Sequence, residues 1–219
     1  MKIAILGTGS VGATIGSRLV DLGHQVMMGS RTSNNEKAQA FVSKHQGINA
    51  SAGTFFEAAA FGEVVFNCTK GEFSLEAIAL AGSAINGKVL IDVSNPLDFS
   101  NGMPPHLIPS LANTNSLGEE IQRRFPETKV VKTFNTMWCG IMVDPNLVGG
   151  GNHINYICGN DASAKDTAVG ILKQFGWKDE CLLDLGDITN ARGTEATLLI
   201  WLRVYGATKT GAFNFNIVK

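Results

Sequence analysis

The sequence predicts an α/β protein with an open, doubly wound, mainly parallel sheet and a small C-terminal helix-and-strand cap. Three observations carry this. Short apolar runs such as Ile3-Ala4-Ile5-Leu6, Val64-Val65-Phe66 and Val89-Leu90-Ile91 have the pattern of strands buried on both faces. They alternate with segments whose apolar residues recur at helical spacing, without internal repeats or low-complexity linkers. A composition of 44% hydrophobic and 17% charged residues over 219 positions supplies a substantial core. Residues 1–161 read as a nucleotide-binding domain and residues 162–219 as a small cap packed on it.

Residues 2–31 form the first unit: strand, glycine turn, helix, strand. The run 3–6 is followed at once by Gly7-Thr8-Gly9-Ser10-Val11-Gly12, which fits G-x-G-x-x-G. Ile15, Leu19 and Leu22 then recur at helical spacing up to Gly23, a residue suited to ending a helix. Residues 25–28 read as the second strand, and Gly29-Ser30-Arg31 closes the unit. Gly7 permits a tight turn, Gly9 lets the backbone approach a pyrophosphate, and Gly12 lets the helix pack closely on the strand. The helix start presents free N–H groups and a positive dipole end to phosphates. A Rossmann-type dinucleotide site follows. An NAD site places an acid about 20 residues past the glycines, yet none stands between Asp21 and Glu36. Ser30, Arg31, Thr32 and Ser33 stand there instead, and a guanidinium among hydroxyls suits a 2′-phosphate, so NADP(H) is the expected cofactor.

The chain continues with a helix over 34–44, a weak strand over 48–52, and a short helix capped by Thr54 with Glu57 in capping-box register. A fourth strand over 63–67 leads into a loop beginning at Cys68 and Thr69, followed by a helix through Leu75, Ile78 and Ala81. A fifth strand spans 88–93. Ligands of such sheets bind beyond the carboxyl ends of the strands, so the loops after strands one, four and five face the cofactor. Residues 94–115 hold Pro96, Pro104, Pro105 and Pro109 and read as a long irregular loop; Asn95–Pro96 is a turn whose isomer the sequence leaves open. Ser116 caps a helix over 117–125, and a sixth strand over 129–134 ends at Asn135-Thr136-Met137 on the same edge. A strand over 155–158, a helix over 162–175, a strand over 181–184 and an apolar helix over 187–203 complete the chain. Leu198 to Leu202 make that last helix apolar nearly all round, which implies burial in the fold or against a second subunit.

Net charge is −1, with 18 basic against 19 acidic residues, which gives no ground for a nucleic-acid or membrane-surface partner. The chain runs from Met1-Lys2 directly into a core strand and holds no apolar run of membrane-spanning length; a cytoplasmic protein is expected. Four cysteines, Cys68, Cys139, Cys158 and Cys181, lack metal-ligand spacing, and no metal is expected. His24, His45 and His153 read as structural, while His106 in the proline-rich loop could face the pocket. Ser110 and Ser116 have no partner base, and Arg192 and Glu195 read as a local ion pair on the last helix. The lack of an evident acid–base group favours an acceptor that takes a hydride directly, such as a flavin or deazaflavin ring.

The glycine motif, the 29–31 turn, Asp92-Val93-Ser94-Asn95-Pro96, Val131-Lys132-Thr133-Phe134-Asn135-Thr136, Gly159-Asn160-Asp161 and Asp184-Leu185-Gly186-Asp187 follow one another in a familiar order. In them the chain resembles the coenzyme F-420-dependent NADP oxidoreductase family and the reductase domain of STEAP-type ferric reductases. The resemblance implies that Thr8, Ser30 and Arg31 hold the 2′-phosphate. It also implies that Thr69, Asn95 and Asn135-Thr136-Met137 line the nicotinamide and acceptor site, and that the chain forms a homodimer through its C-terminal helices. The archaeal members carry His where Asn135 stands and have a shorter link at Pro104–Pro109. The small-molecule acceptor therefore stays open among deazaflavin F-420, flavin, a quinone-like ring and a small carbonyl. The alternative of another class is a non-catalytic NADP(H)-sensing module.

Overall fold

The computed structural model describes residues 1–218. The first unit forms as β1 (Lys2–Leu6), α1 (Ser10–Asp21) and β2 (Gln25–Ser30). Gly23 follows α1 at φ +83°, a left-handed position that favours glycine. α2 (Glu36–Lys44) starts at Asn35, whose side chain accepts from the Lys37 and Ala38 amides, and leads to β3 (Ala50–Thr54). At α3 (Phe55–Phe61) the capping box is complete: Thr54 accepts from the Glu57 amide, and the Glu57 carboxylate accepts from the Thr54 amide at 2.7 Å. β4 (Val64–Asn67), α4 (Gly71–Ala81) and β5 (Val89–Asp92) continue the alternation. After β6 (Leu97–Asp98) and β7 (His106–Leu107) come α5 (Leu117–Arg124), β8 (Lys129–Thr133) and α6 (Cys139–Val143). β9 (Asn155–Gly159), α7 (Ala162–Gln174), β10 (Leu182–Asp184) and α8 (Ala191–Thr208) close the chain.

Eight strands form one sheet in the order β10-β9-β8-β5-β4-β1-β2-β3. β3 through β8 in that order are parallel, whereas β9 pairs antiparallel with β8, so the sheet is mostly rather than wholly parallel. Strand alternation sends Ile3 and Ile5 to one face and Ala4 and Leu6 to the other. The first face is covered by α1, α2, α6 and α7 through residues such as Ile15, Leu19, Phe41, Ile141 and Ile171. The second is covered by α3, α4, α5 and the start of α8 through Ala58, Ile78, Ile121 and Ala191. The 162–219 segment thus adds a strand to the sheet and a helix to each layer.

Several boundaries move. Gly29 and Ser30 belong to β2 rather than to a turn, and a Cβ at Gly29 would lie 2.8 Å from the Ala58 methyl of α3. β3 begins at Ala50, leaving Ile48 exposed. The 94–115 connection is not irregular throughout: β6 and β7 pair antiparallel within it, and its cis peptide is Met103–Pro104, not Asn95–Pro96. Asp187 caps a short turn over Ile188–Asn190, and α8 proper starts only at Ala191. Its apolar girth is met partly by its own chain: Trp201 stacks on Tyr205 and Phe213 with ring centroids 5.5 and 5.2 Å apart.

Candidate functional site

Strand order reverses at β1, which has β2 on one side and β4 on the other. That is where an open α/β sheet leaves a crevice beyond its strand ends. A cavity of about 490 Å³ lies there, within the range of small-molecule sites. One wall is the turn Gly7-Thr8-Gly9-Ser10-Val11 with Ser30 and Arg31; the opposite wall is Cys68-Thr69-Lys70 with Phe73.

The three glycines of the motif have different tasks here. Gly7, at φ +115°, sits where a Cβ would meet the Cys68 carbonyl oxygen at 2.7 Å, so the β1 turn and the β4 loop touch backbone to backbone. A Cβ on Gly9 would meet nothing within 4 Å: its bare backbone faces the cavity. Gly12 lies behind the cavity instead, with a Cβ there only 2.3 Å from the Gly7 carbonyl oxygen. No acidic residue stands in the first turn of α1 and no side chain caps its N-terminus, so its leading N–H groups remain free for an anion. This is a cradle that fits a diphosphate.

Ser30 is buried, and its hydroxyl donates to the Thr32 carbonyl oxygen at 2.5 Å, shaping the turn that carries Arg31. The exposed Arg31 guanidinium rests 5.4 Å from the centre of the Phe73 ring, on the far wall. Lys70 reaches over Phe73 and Phe99 and pairs with Glu72. Asn35, Phe55, Phe73 and Ala77 complete the lining. The sequence offered no pattern for these four, since they come from three helices or their caps and meet only in the fold.

A narrower cavity of about 230 Å³ shares Val11, Cys68, Thr69 and Lys70 with the first and adds Val93-Ser94-Asn95, Leu97 and Phe99. Asn95 thus reaches a cavity wall. Asn135, Thr136 and Met137 do not: they are 2%, 1% and 4% exposed and line neither cavity. Met137 packs in the hydrophobic core. Asn135 acts one layer back, its amide donating to Asn95 Oδ1 at 2.9 Å while Asn95 Nδ2 donates to the Asn135 carbonyl at 2.8 Å.

Beneath this wall lies a charge cluster that the sequence reading did not single out. Lys132 of β8 is fully buried and reaches Asp92 Oδ2 at 2.8 Å, Glu195 Oε1 at 2.7 Å and the Ser94 carbonyl at 2.6 Å. Burial pulls the Lys132 ammonium down, but the two carboxylates outweigh it and hold it above the ordinary lysine value. Burial pushes the Glu195 carboxyl up, more than the Lys132 ammonium and the Leu117 amide pull it down. Arg192 and Glu195 are not partners: Arg192 pairs with Glu119, through Nε at 2.8 Å, while Glu195 turns inward.

The remaining titratable groups offer little chemistry. His24 bonds Gln174, His45 bonds Ser17, His153 bonds Pro145 and Asn214, and His106 pairs with Asp98 inside the β6–β7 hairpin; none lines either cavity. Cys68 lines both cavities, but burial pushes its thiol well up, as do the nearby Asp92 and Cys139, so it stays a thiol. Among the described residues no group of three or more His, Cys, Asp or Glu is placed to hold a metal, and no helix is long and apolar enough to cross a membrane.

Comparison with known proteins decides the family. The family of NADP oxidoreductases, coenzyme F420-dependent, matches residues 2–96, which contain the whole glycine turn and both cavity walls up to Asn95. A crystal structure from Arthrobacter sp. FB24, assigned provisionally as an F420-dependent NADP reductase, superposes with a TM-score of 0.93 at 46% identity over 100% of both chains. The chain belongs to the coenzyme F420-dependent NADP oxidoreductase family. As a member it is an oxidoreductase, and the family uses NADP(H) and F420. The F420-dependent NADP reductase of Methanocaldococcus jannaschii is 29% identical over 96% of each chain. Metalloreductase STEAP3 of Rattus norvegicus is 32% identical over 89% of this chain, which spans only 36% of the length of that protein.

Proposed function

We propose that the protein transfers a hydride between NADP(H) and a flat redox ring, deazaflavin F420 or a flavin-like molecule, rather than merely sensing NADP(H). The observation that carries the reading is the pair of adjoining cavities. The larger has a diphosphate cradle and Arg31 for the 2′-phosphate; the smaller, reached past Cys68-Thr69-Lys70, gives the nicotinamide and an acceptor a shared chamber. Bound nicotinamide supplies the hydride chemistry. The chain's own task is to bind, orient and exclude water. Gly9 and the α1 amides hold the diphosphate, Thr8 and Arg31 the extra phosphate, and Thr69 and Asn95 the ring side. Ser30 supports Arg31 from below, and Asn135 supports Asn95 from behind. The reduced ring also takes up one proton, which solvent can supply, so the reading does not need a histidine in either cavity. The reductase names of the relatives support turnover over sensing.

Steady-state oxidation of NADPH with deazaflavin, flavin and quinone acceptors tests the reading. Turnover with a deazaflavin or flavin bears it out, and tight NADPH binding without turnover on any acceptor sinks it. We propose in addition that the exposed Ile200 and Tyr205 of α8 face a second copy of the chain. Sedimentation of the wild type against Ile200→Lys checks this, since only a dimer can fall to monomer.

A further inference from the structure

The smaller cavity has two walls, the Thr69 loop and the Ser94-Asn95 turn, and both hang from one buried carboxylate. Asp92 Oδ1 accepts from Asn67 Nδ2 at 2.8 Å, and Asn67 Oδ1 accepts from the Thr69 hydroxyl at 2.6 Å. The same Oδ1 accepts from the Ser94 amide at 3.1 Å and the Ser94 hydroxyl at 2.6 Å. Ser94 is gripped a third time at its carbonyl, by Lys132 at 2.6 Å. Lys132 also neutralises the other oxygen of Asp92, so one ammonium steadies both walls.

The next residue has nowhere to drift. The Asn95 carbonyl oxygen would lie 1.9 Å from a Cβ on Gly71, so the turn is pressed against the start of α4. Its side chain is locked to Asn135 by two hydrogen bonds. The third Lys132 donor goes to Glu195, whose carboxylate also accepts from the Leu117 and Gly118 amides at 2.9 and 3.0 Å, anchoring the cluster to α5 and α8. The three N–H donors of the ammonium thus have three acceptors, and none is left over. A buried ion cluster is a weak source of net stability, because desolvation offsets most of its Coulomb gain. Its geometric effect is different: it fixes a loop end that backbone hydrogen bonding alone leaves open.

We propose that Lys132 is a positioning residue, holding the Ser94-Asn95 turn and, through Asp92, the Thr69 loop at the depth the nicotinamide half of NADP(H) requires. This rests on the hydride-transfer reading for its ligand but makes a claim about binding that can be read without turnover.

The test compares the wild type with Lys132→Met/Glu195→Gln. Lys132→Met alone leaves two facing buried carboxylates and risks unfolding; the double variant removes one charge of each sign. Two ligands are titrated calorimetrically: NADPH, and 2′-phospho-ADP-ribose, which lacks the nicotinamide. The folded double variant is expected to bind NADPH about tenfold more weakly and 2′-phospho-ADP-ribose within about twofold of wild type, while kcat falls about 100-fold, as misplacement by an ångström does. Glu195→Gln alone keeps the Lys132–Ser94 bond and is expected to lose less than half as much on a logarithmic scale. A purely structural cluster predicts equal changes for both ligands, and that result overturns the proposal, as does unchanged NADPH affinity. A wild type that binds NADPH but never turns over defeats the hydride-transfer reading alone; the ratio of the two affinities still decides the role of Lys132.

Discussion

Replacing Arg31 with Ala probes the choice of cofactor directly. A charge-assisted hydrogen bond from a guanidinium to a phosphate contributes about 1.5–3 kcal/mol. In the free protein Arg31 is not idle, because it lies 5.4 Å from the Phe73 ring centre. An exposed contact of that kind contributes about 0.5–1 kcal/mol, and gripping the phosphate gives it up. The difference, about 1–2 kcal/mol, corresponds to a Kd for NADPH raised about 5- to 30-fold. NADH lacks the 2′-phosphate and is expected to bind the variant within about twofold of wild type, a change too small to matter on the same scale. Arg31 is exposed, so the discrimination should also shrink as salt rises and the Debye length falls below about 8 Å. The assay is a fluorescence titration of both reduced nucleotides at two ionic strengths. Equal losses for the two nucleotides, or an unchanged preference, would refute the assignment of Arg31 and with it the phosphate side of the cavity.

Other perturbations separate the cradle from its supports. Gly9→Ala has room for its methyl only in the cavity, so NADPH affinity should fall while Tm holds; an unchanged affinity would show that no ligand comes close there. Gly12→Ala forces a methyl to 2.3 Å from the Gly7 carbonyl oxygen and should lose stability, by about 1–3 kcal/mol in a urea titration, through overpacking. Thr54→Ala breaks the capping box of α3 and should cost about 1 kcal/mol of stability with the Michaelis constant for NADPH unmoved. Glu119 is held below its ordinary 4.5, chiefly by hydrogen bonds from Arg192, against a smaller opposing effect of burial. Its carboxylate therefore stabilises the fold fully above the unfolded value, and the contribution is lost as pH falls through the lower folded value. The Tm gap between wild type and Glu119→Gln should close progressively as pH falls below the ordinary value of 4.5, and a constant gap would sink the linkage.

Much of the architecture was legible from local pattern. The β1–α1–β2 unit, the caps at Thr54 and Ser116, and the stop at Gly23 are set by residues a few positions apart. Their hydrogen bonds close within one turn, so the amino-acid order dictates them wherever the segment sits. The cavity walls at Gly7–Val11 and Cys68–Thr69 follow for the same reason, because a parallel strand must deliver its loop to the carboxyl edge. What spacing could not show depends on partners far apart in the chain. The direction of β9 is one case: either pairing hides its Tyr-Ile-Cys run, and only the route of the 139–154 connection selects antiparallel. Asn135, Thr136 and Met137 end the right strand at the right edge, yet the packing of α6 and the grip on Asn95 withdraw them from the cavity surface. Lys132, Asp92 and Glu195 looked like a strand residue, a strand end and half of a helical ion pair. They become one buried cluster because β5, β8 and α8 converge, and a charge's value depends on what desolvates and pairs it. Order along the chain sets the local turns and caps; burial and long-range pairing set which side chains see the ligand.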